Sequence, residues 1–170
     1  MMKKLFTSVT RTLSPVLKTW SDNQSQGYFT GVMLDACEVF SICDGVIVQI
    51  EKSYSNRSVV TVQYSSNLYV RYLNISSDTL TSTEGKPIEE GQLIGEAHNH
   101  KLTFEVCSTS GNKLWPVRIG KYTFYKTDPM PYLVDPDSVF KNHNKYIEPT
   151  YSENDVVYNE EFDGMNRGEW

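Results

Sequence analysis

Between residues 46 and 73 apolar side chains recur at every second position. Val46, Val48 and Ile50 alternate with Ile47, Gln49 and Glu51. Val60, Val62 and Tyr64 alternate with Val59, Thr61 and Gln63, and Leu68, Val70 and Tyr72 with Tyr69, Arg71 and Leu73. A period of two, rich in β-branched and aromatic residues, is the mark of a half-buried strand. Polar stretches at residues 53–56 and 65–67 separate the runs and read as turns. Short strands at this spacing, continuing from Tyr28 to Leu133, predict an all-β sandwich or barrel.

The two ends break the pattern. In residues 1–20, Leu5, Val9, Leu13, Val16 or Leu17, and Trp20 recur at spacings of three and four, with Lys3, Lys4, Arg11 and Lys18 between them. This spacing predicts an amphipathic helix, kinked or broken at Ser14 and Pro15, that packs on its own domain, a partner subunit or a membrane surface. Residues 21–26 are polar and read as a linker. From residue 134 to 170 apolar residues are scattered among acids and asparagines, with Pro136 and Pro149 as interruptions. That composition predicts an extended C-terminal arm, ordered by what it lies against. The expected organisation is therefore an N-terminal helix and linker (1–27), a β domain (28–133) and an acidic arm (134–170). Trp20, Phe140, Tyr146, Tyr151, Tyr158, Phe162 and Trp170 are the candidate partner contacts.

Charge sharpens this division. Of 21 acids, nine fall in residues 134–170 against three bases, which leaves residues 1–133 near neutrality. Nucleic-acid binding requires a basic field that displaces counterions from phosphates, and the body of the chain offers none. No run approaches the roughly 18 apolar residues of a membrane span. Lys3, Lys4, Leu5 and Phe6 imitate the start of a secretory signal, but Thr7, Ser8, Thr10, Arg11 and Thr12 interrupt the apolar run, so no such signal is expected. Cys37, Cys43 and Cys107 cannot all pair within the chain and have no C-x-x-C spacing. They read as buried free thiols, which favours assembly in a reducing compartment.

Residues 91–106 read G-Q-L-I-G-E-A-H-N-H-K-L-T-F-E-V. This stretch resembles the active-site segment of the lysostaphin-like (LytM-type) zinc peptidoglycan endopeptidases, where G-Q-x-I-G leads to H-L-H-F-E-[IV]. The resemblance extends over about 105 residues, from Tyr28 to Leu133. The family's H-x-G-x-D is matched at residues 29–33 by F-T-G-V-M, and its D-G-x-V strand entry at residues 44–48 by D-G-V-I-V. Its Y-x-H-L is matched at residues 70–73 by V-R-Y-L, and its closing D-P-x-P-Y-L at residues 128–133 by D-P-M-P-Y-L.

The resemblance implies an all-β fold of the duplicated hybrid-motif type. It also implies a zinc site held by two histidines and an aspartate, with an open position for water. The family's functional positions fall here on Phe29, Met33, Tyr72, Lys101 and Thr103, which form a vestigial cleft. No ligand set survives at those positions, so neither metal nor other cofactor is expected, and no catalysis. His98 and His100 form an H-x-H three residues before the aligned place and read as an exposed loop; metal binding there would need a distant His143 or Asp35 as third ligand.

These readings lead to a non-catalytic structural or assembly protein on a peptidoglycan-peptidase fold. The combination of that fold with two unusual ends suits a bacteriophage tail or baseplate component, made in the host cytoplasm and residing in the virion, whose partners are other subunits of the assembly. The alternatives are an active zinc endopeptidase with non-standard ligands and a cell-wall-binding module that meets peptidoglycan, placed in the bacterial cytoplasm or envelope. A biotinyl-lipoyl-like carrier shares the D-G-x-[IV] words but needs a hairpin lysine that this chain does not present.

Overall fold

The computed structural model describes residues 3–20, 23–24 and 27–140. Its strands are β1 (Lys4–Phe6), β2 (Leu13–Lys18), β3 (Asn23–Gln24), β4 (Gly27–Tyr28), β5 (Val32–Asp35), β6 (Glu38–Phe40) and β7 (Gly45–Ser53). They continue with β8 (Arg57–Ser65), β9 (Leu68–Ser76), β10 (Pro87–Ile88), β11 (Leu93–Glu96), β12 (Lys101–Ser108), β13 (Pro116–Ile119) and β14 (Tyr122–Thr127). Two short helices follow, α1 (Met130–Val134) and α2 (Pro136–Phe140).

Ten strands form one antiparallel sheet, ordered β1-β2-β5-β12-β9-β8-β7-β10, with β14 also on β12 and β13 on β14. The all-β expectation holds. β7, β8 and β9 cover the three alternating runs, joined by turns where the sequence places them. Ser55 and Asn56 take the left-handed conformation in the first turn, which lets the strands reverse tightly with their natural twist.

The sheet has a main core on one face and a smaller core on the other. Leu34, Val62, Val70, Tyr72, Leu102, Phe104 and Val106 line the main core, joined by Tyr132, Leu133 and Phe140 from α1 and α2. Tyr69, Cys107, Val46 and Val48 belong to the opposite cluster, roofed by Val117, Ile119, Tyr122 and Phe124 of the β13–β14 hairpin. Along β12 this gives strict alternation: even-numbered residues from Leu102 to Val106 point into the main core, while Thr103, Glu105 and Cys107 point to the other face.

The glycine and aspartate motifs build turns and close packings. Gly91 takes φ +86°, donates its N–H to Ser41 O at 2.9 Å, and thereby turns the chain into β11. Asp44 accepts the Glu90 N–H at 2.8 Å. A side chain on Gly95 would meet Ile75 Cγ2 at 2.9 Å, so that glycine permits a close strand crossing. Asp128 accepts the Met130 N–H at 3.0 Å and starts α1, which buries Tyr132 and Leu133.

Both ends depart from expectation. The predicted N-terminal helix is instead the β1–β2 hairpin. β-branched residues crowd residues 7–16, and Pro15 would break a helix interior but sits without cost opposite Lys4 in β2. Ser14 and Val16 are buried on one side of β2, a period of two hidden beneath an accidental three-four spacing. At the other end, residues 134–140 are part of the domain. Phe140 is buried in the main core, with ring centroids 4.8 Å from Tyr64 and 5.3 Å from Tyr132, and is not a free partner contact. Tyr146, Tyr151, Tyr158, Phe162 and Trp170 lie outside the described residues. Trp20 follows β2 and is half-buried.

Candidate functional site

The candidate site is the open part of the sheet face opposite the main core. Cross-strand pairing places Met33 of β5 opposite Thr103 of β12, and Thr103 opposite Leu73 of β9. Lys18 of β2 pairs with Met33 on the other side. The row Lys18, Met33, Thr103, Leu73 therefore crosses four strands. Lys101 pairs with Asp35 one step toward the exposed end. Phe29 joins the row through Lys18, whose Nζ lies 5.4 Å from its ring centroid. Gly31, between Phe29 and Met33, lies so close to β12 that a Cβ there would meet Thr103 Cγ2 and Glu105 Cγ at 3.2 Å.

Four of the five expected cleft residues thus converge: Phe29, Met33, Lys101 and Thr103. Tyr72 does not. It pairs with Phe104, points into the main core, is fully buried, and its Oη accepts the Ile42 N–H at 2.9 Å. Burial holds its hydroxyl well above the ordinary tyrosine range. The residue that β9 presents beside Thr103 is Leu73, one position along, because successive strand side chains face opposite ways.

Deeper along the same face the row becomes charged. Glu105 is buried and pairs with Arg71, whose Nη1 reaches Glu105 Oε1 at 2.7 Å. Lys126 Nζ reaches the other carboxylate oxygen at 2.9 Å and Thr30 Oγ1 at 3.0 Å. The group sits at a fork: the first half of β12 pairs with β5, and its second half pairs with β14 on that same edge. One carboxylate thus links three strands and the segment entering β5. Beyond it Cys107 lies under the hairpin, its thiol pushed up to about 12 by burial, against the opposing influence of Arg71 and Lys126.

The face does not fit a zinc ion. Phenylalanine offers no lone pair, methionine only a soft thioether, and threonine a neutral hydroxyl, whereas zinc sites use thiolate, imidazole and carboxylate donors. Lys18 and Lys101 bring positive charge to the same row. Among the described residues no group of three His, Cys, Asp or Glu side chains could hold a metal ion. His98 and His100 lie in a short turn before β12 where Asn99 and His100 are left-handed, so they do not share a strand face. The turn is clasped by Asn74, whose Nδ2 donates to His98 O at 2.8 Å and Lys101 O at 2.6 Å.

Lys18, Leu73 and the Arg71–Glu105–Lys126 group were not anticipated from sequence. The available signal was the presence of Arg71 and Glu105 inside otherwise apolar strands, a costly placement unless the two are paired. The reading of all three cysteines as buried also fails for Cys37, which is exposed, while Cys43 and Cys107 are buried.

No family model and no curated protein sequence matches this chain. Solved structures do resemble it. The LytU structure is 16% identical, with a TM-score of 0.56 over 71% of this chain and 85% of that one. The catalytic domain of lysostaphin from Staphylococcus simulans is 18% identical, with a TM-score of 0.54 over 69% and 90%. A chain of the SpoIIQ–SpoIIIAH pore-forming complex is 16% identical, with a TM-score of 0.58 over 85% and 99%. The fold is that of the lysostaphin-type peptidase domains.

Proposed function

We propose that this chain is a non-catalytic assembly subunit built on a peptidase fold, and that it serves in the tail or baseplate of a bacteriophage virion. The observation that carries the first part is the composition of the Lys18–Met33–Thr103–Leu73 row, where apolar and cationic side chains stand in place of metal ligands. A chain of a pore-forming complex has a similar fold, so a role as one subunit among others is within the reach of this architecture. The virion placement rests on the unusual ends: a basic N-terminal hairpin, and a long acidic segment after Phe140 rich in aromatic residues.

The test has two arms. Metal analysis of the purified chain and a cell-wall clearing assay should give no stoichiometric zinc and no clearing; zinc with clearing that is lost in His98→Ala or His100→Ala would establish the enzyme instead. Limited proteolysis should find residues 141–170 cleaved readily in the isolated chain and protected in tail or baseplate particles. Equal cleavage in both would refute the assembly role.

A second reading, retention of cell-wall binding without hydrolysis, draws on Met33, Thr103 and Leu73 being half-buried and open at the Lys101 end. Retention of the chain on purified peptidoglycan, lost on Thr103→Trp, would support it.

A further inference from the structure

The β13–β14 hairpin roofs the smaller core, and the side it turns outward is basic. Residues 106–127 hold four bases, Lys113, Arg118, Lys121 and Lys126, and no acid, in a chain whose acids outnumber its bases 21 to 16. Lys126 is neutralised by Glu105, while the other three are exposed. Val117, Ile119, Tyr122 and Phe124 point into the core. By strand alternation Pro116, Arg118, Thr123 and Tyr125 therefore line the outer face, with Arg118 opposite Thr123 and Pro116 opposite Tyr125. Lys113 is laid over that face from the preceding loop. Its Nζ lies 3.9 Å from the Tyr125 ring centroid and donates to Thr109 O at 3.3 Å.

Beside these cations a leucine is held out to solvent. Leu114 is 75% exposed. A lone exposed leucine carries little meaning, but this one is fixed in place. Its N–H donates to Asn112 Oδ1 at 2.9 Å, the Trp115 N–H donates to Asn112 O at 2.9 Å, and the Asn112 N–H donates to Lys126 O at 2.8 Å. The turn thus presents Leu114 between the exposed Lys113 and the half-buried Trp115, anchored to β14.

We propose that this hairpin face docks peripherally on an anionic lipid bilayer, with Lys113, Arg118 and Lys121 against the headgroups and Leu114 entering the acyl boundary. Charge complementarity carries the first half, because a surface rich in anionic lipid attracts each nearby lysine or arginine. The leucine decides among anions. A polyanion dissolved in water gains nothing from it, and three cations displace too few counterions to hold a nucleic acid firmly at physiological salt. A bilayer removes the leucine from water, and the aromatic bodies and polar tips of Trp115 and Tyr125 suit its interface. The stems of the lysines and Arg118 let their charges stay at headgroup level above an inserted Leu114. The proposal goes beyond the assembly reading and does not depend on it, since it uses neither the Met33–Thr103 face nor the two ends of the chain.

Co-sedimentation of the full-length chain with vesicles tests it. The chain should pellet with phosphatidylcholine vesicles that contain about 30% phosphatidylglycerol, and remain in solution with phosphatidylcholine alone. Lys113→Gln/Arg118→Gln should weaken binding at least about tenfold, at roughly fivefold for each cation near the surface. Leu114→Ser should weaken it about tenfold, the order expected when a partly inserted leucine is withdrawn. These positions are exposed, so the substitutions leave the fold in place. Tyr54→Ser, at a 91% exposed aromatic on the turn between β7 and β8, should bind as the parent does. No pelleting with the anionic vesicles, or equal pelleting with neutral ones, overturns the proposal. So does loss of binding on Tyr54→Ser with none on the hairpin variants, which would move the contact to the other turn. Binding that survives Leu114→Ser and is abolished by soluble polyphosphate overturns it in favour of a polyanion in water.

Discussion

Arg71 Nη1 and Glu105 Oε1 meet at 2.7 Å across β9 and β12, with both side chains largely withdrawn from water. A desolvated pair contributes little net stability, but removing one member strands the other. Glu105→Gln keeps the shape and leaves Arg71 and Lys126 without their shared counter-charge. It should cost about 2–4 kcal/mol, discounted from a fully buried pair because the half-exposed Glu51, whose Oε1 lies 3.6 Å from Arg71 Nη2, and solvent partly compensate. Urea denaturation should show a lower midpoint at unchanged slope. Adding Arg71→Met should cost less than the sum of the two single changes, since they act on one network.

Tyr72→Phe removes the acceptor for the Ile42 N–H and leaves that amide unsatisfied in the core. A loss of about 1–3 kcal/mol is expected, again by denaturation midpoint. Because Tyr72 faces the main core, the variant should leave any ligand contact on the Met33–Thr103 face unchanged.

Introducing metal-binding donors tests the geometry of that face directly. Phe29→His, Met33→Asp and Thr103→His together should create a zinc site, read as stoichiometric metal retained after dialysis. Lys18, paired with Met33, opposes a cation there. Adding Lys18→Ala should therefore tighten binding by about tenfold or more, the order expected for removing one nearby like charge. A triple variant that retains no zinc would show that these three side chains do not converge.

Alkaline pH should unfold the protein early. The Cys107 thiol is raised by burial from 9.0 to about 12, and burial likewise raises Cys43 and Tyr72. A group whose folded value lies above its unfolded value contributes stability that is complete below the unfolded value and lost as pH rises toward the folded one. The denaturation midpoint should be level up to about pH 9 and decline between there and about 12. A flat profile across that window would contradict the burial of these groups.

The strands from Gly45 to Ser76 were legible because one buried face imposes period two on sequence, and the turns between them carry their own chemistry. The N-terminal hairpin was not, because Leu5, Val9 and Leu13 satisfy a helical spacing while the alternating burial of Ser14 and Val16 depends on a neighbour, β5, twenty residues later. Motif alignment alone places Tyr72 in the cleft, whereas pairing turns it into the core. Motifs carry order but not register, and in a strand one position reverses the face. The Arg71–Glu105–Lys126 group joins residues far apart in sequence, at a fork that only pairing reveals. Phe140 was concealed by the polar company it keeps in the chain, although its ring completes the core.

Cys37 lies exposed, two residues past Asp35 at the Lys101 end of the Met33–Thr103 face, while Cys43 and Cys107 are shielded. The folded molecule thus carries a natural single attachment point. A fluorophore placed there by thiol chemistry would sit at the rim of the sheet face without any engineering of the sequence, and would signal whatever comes to lie on it.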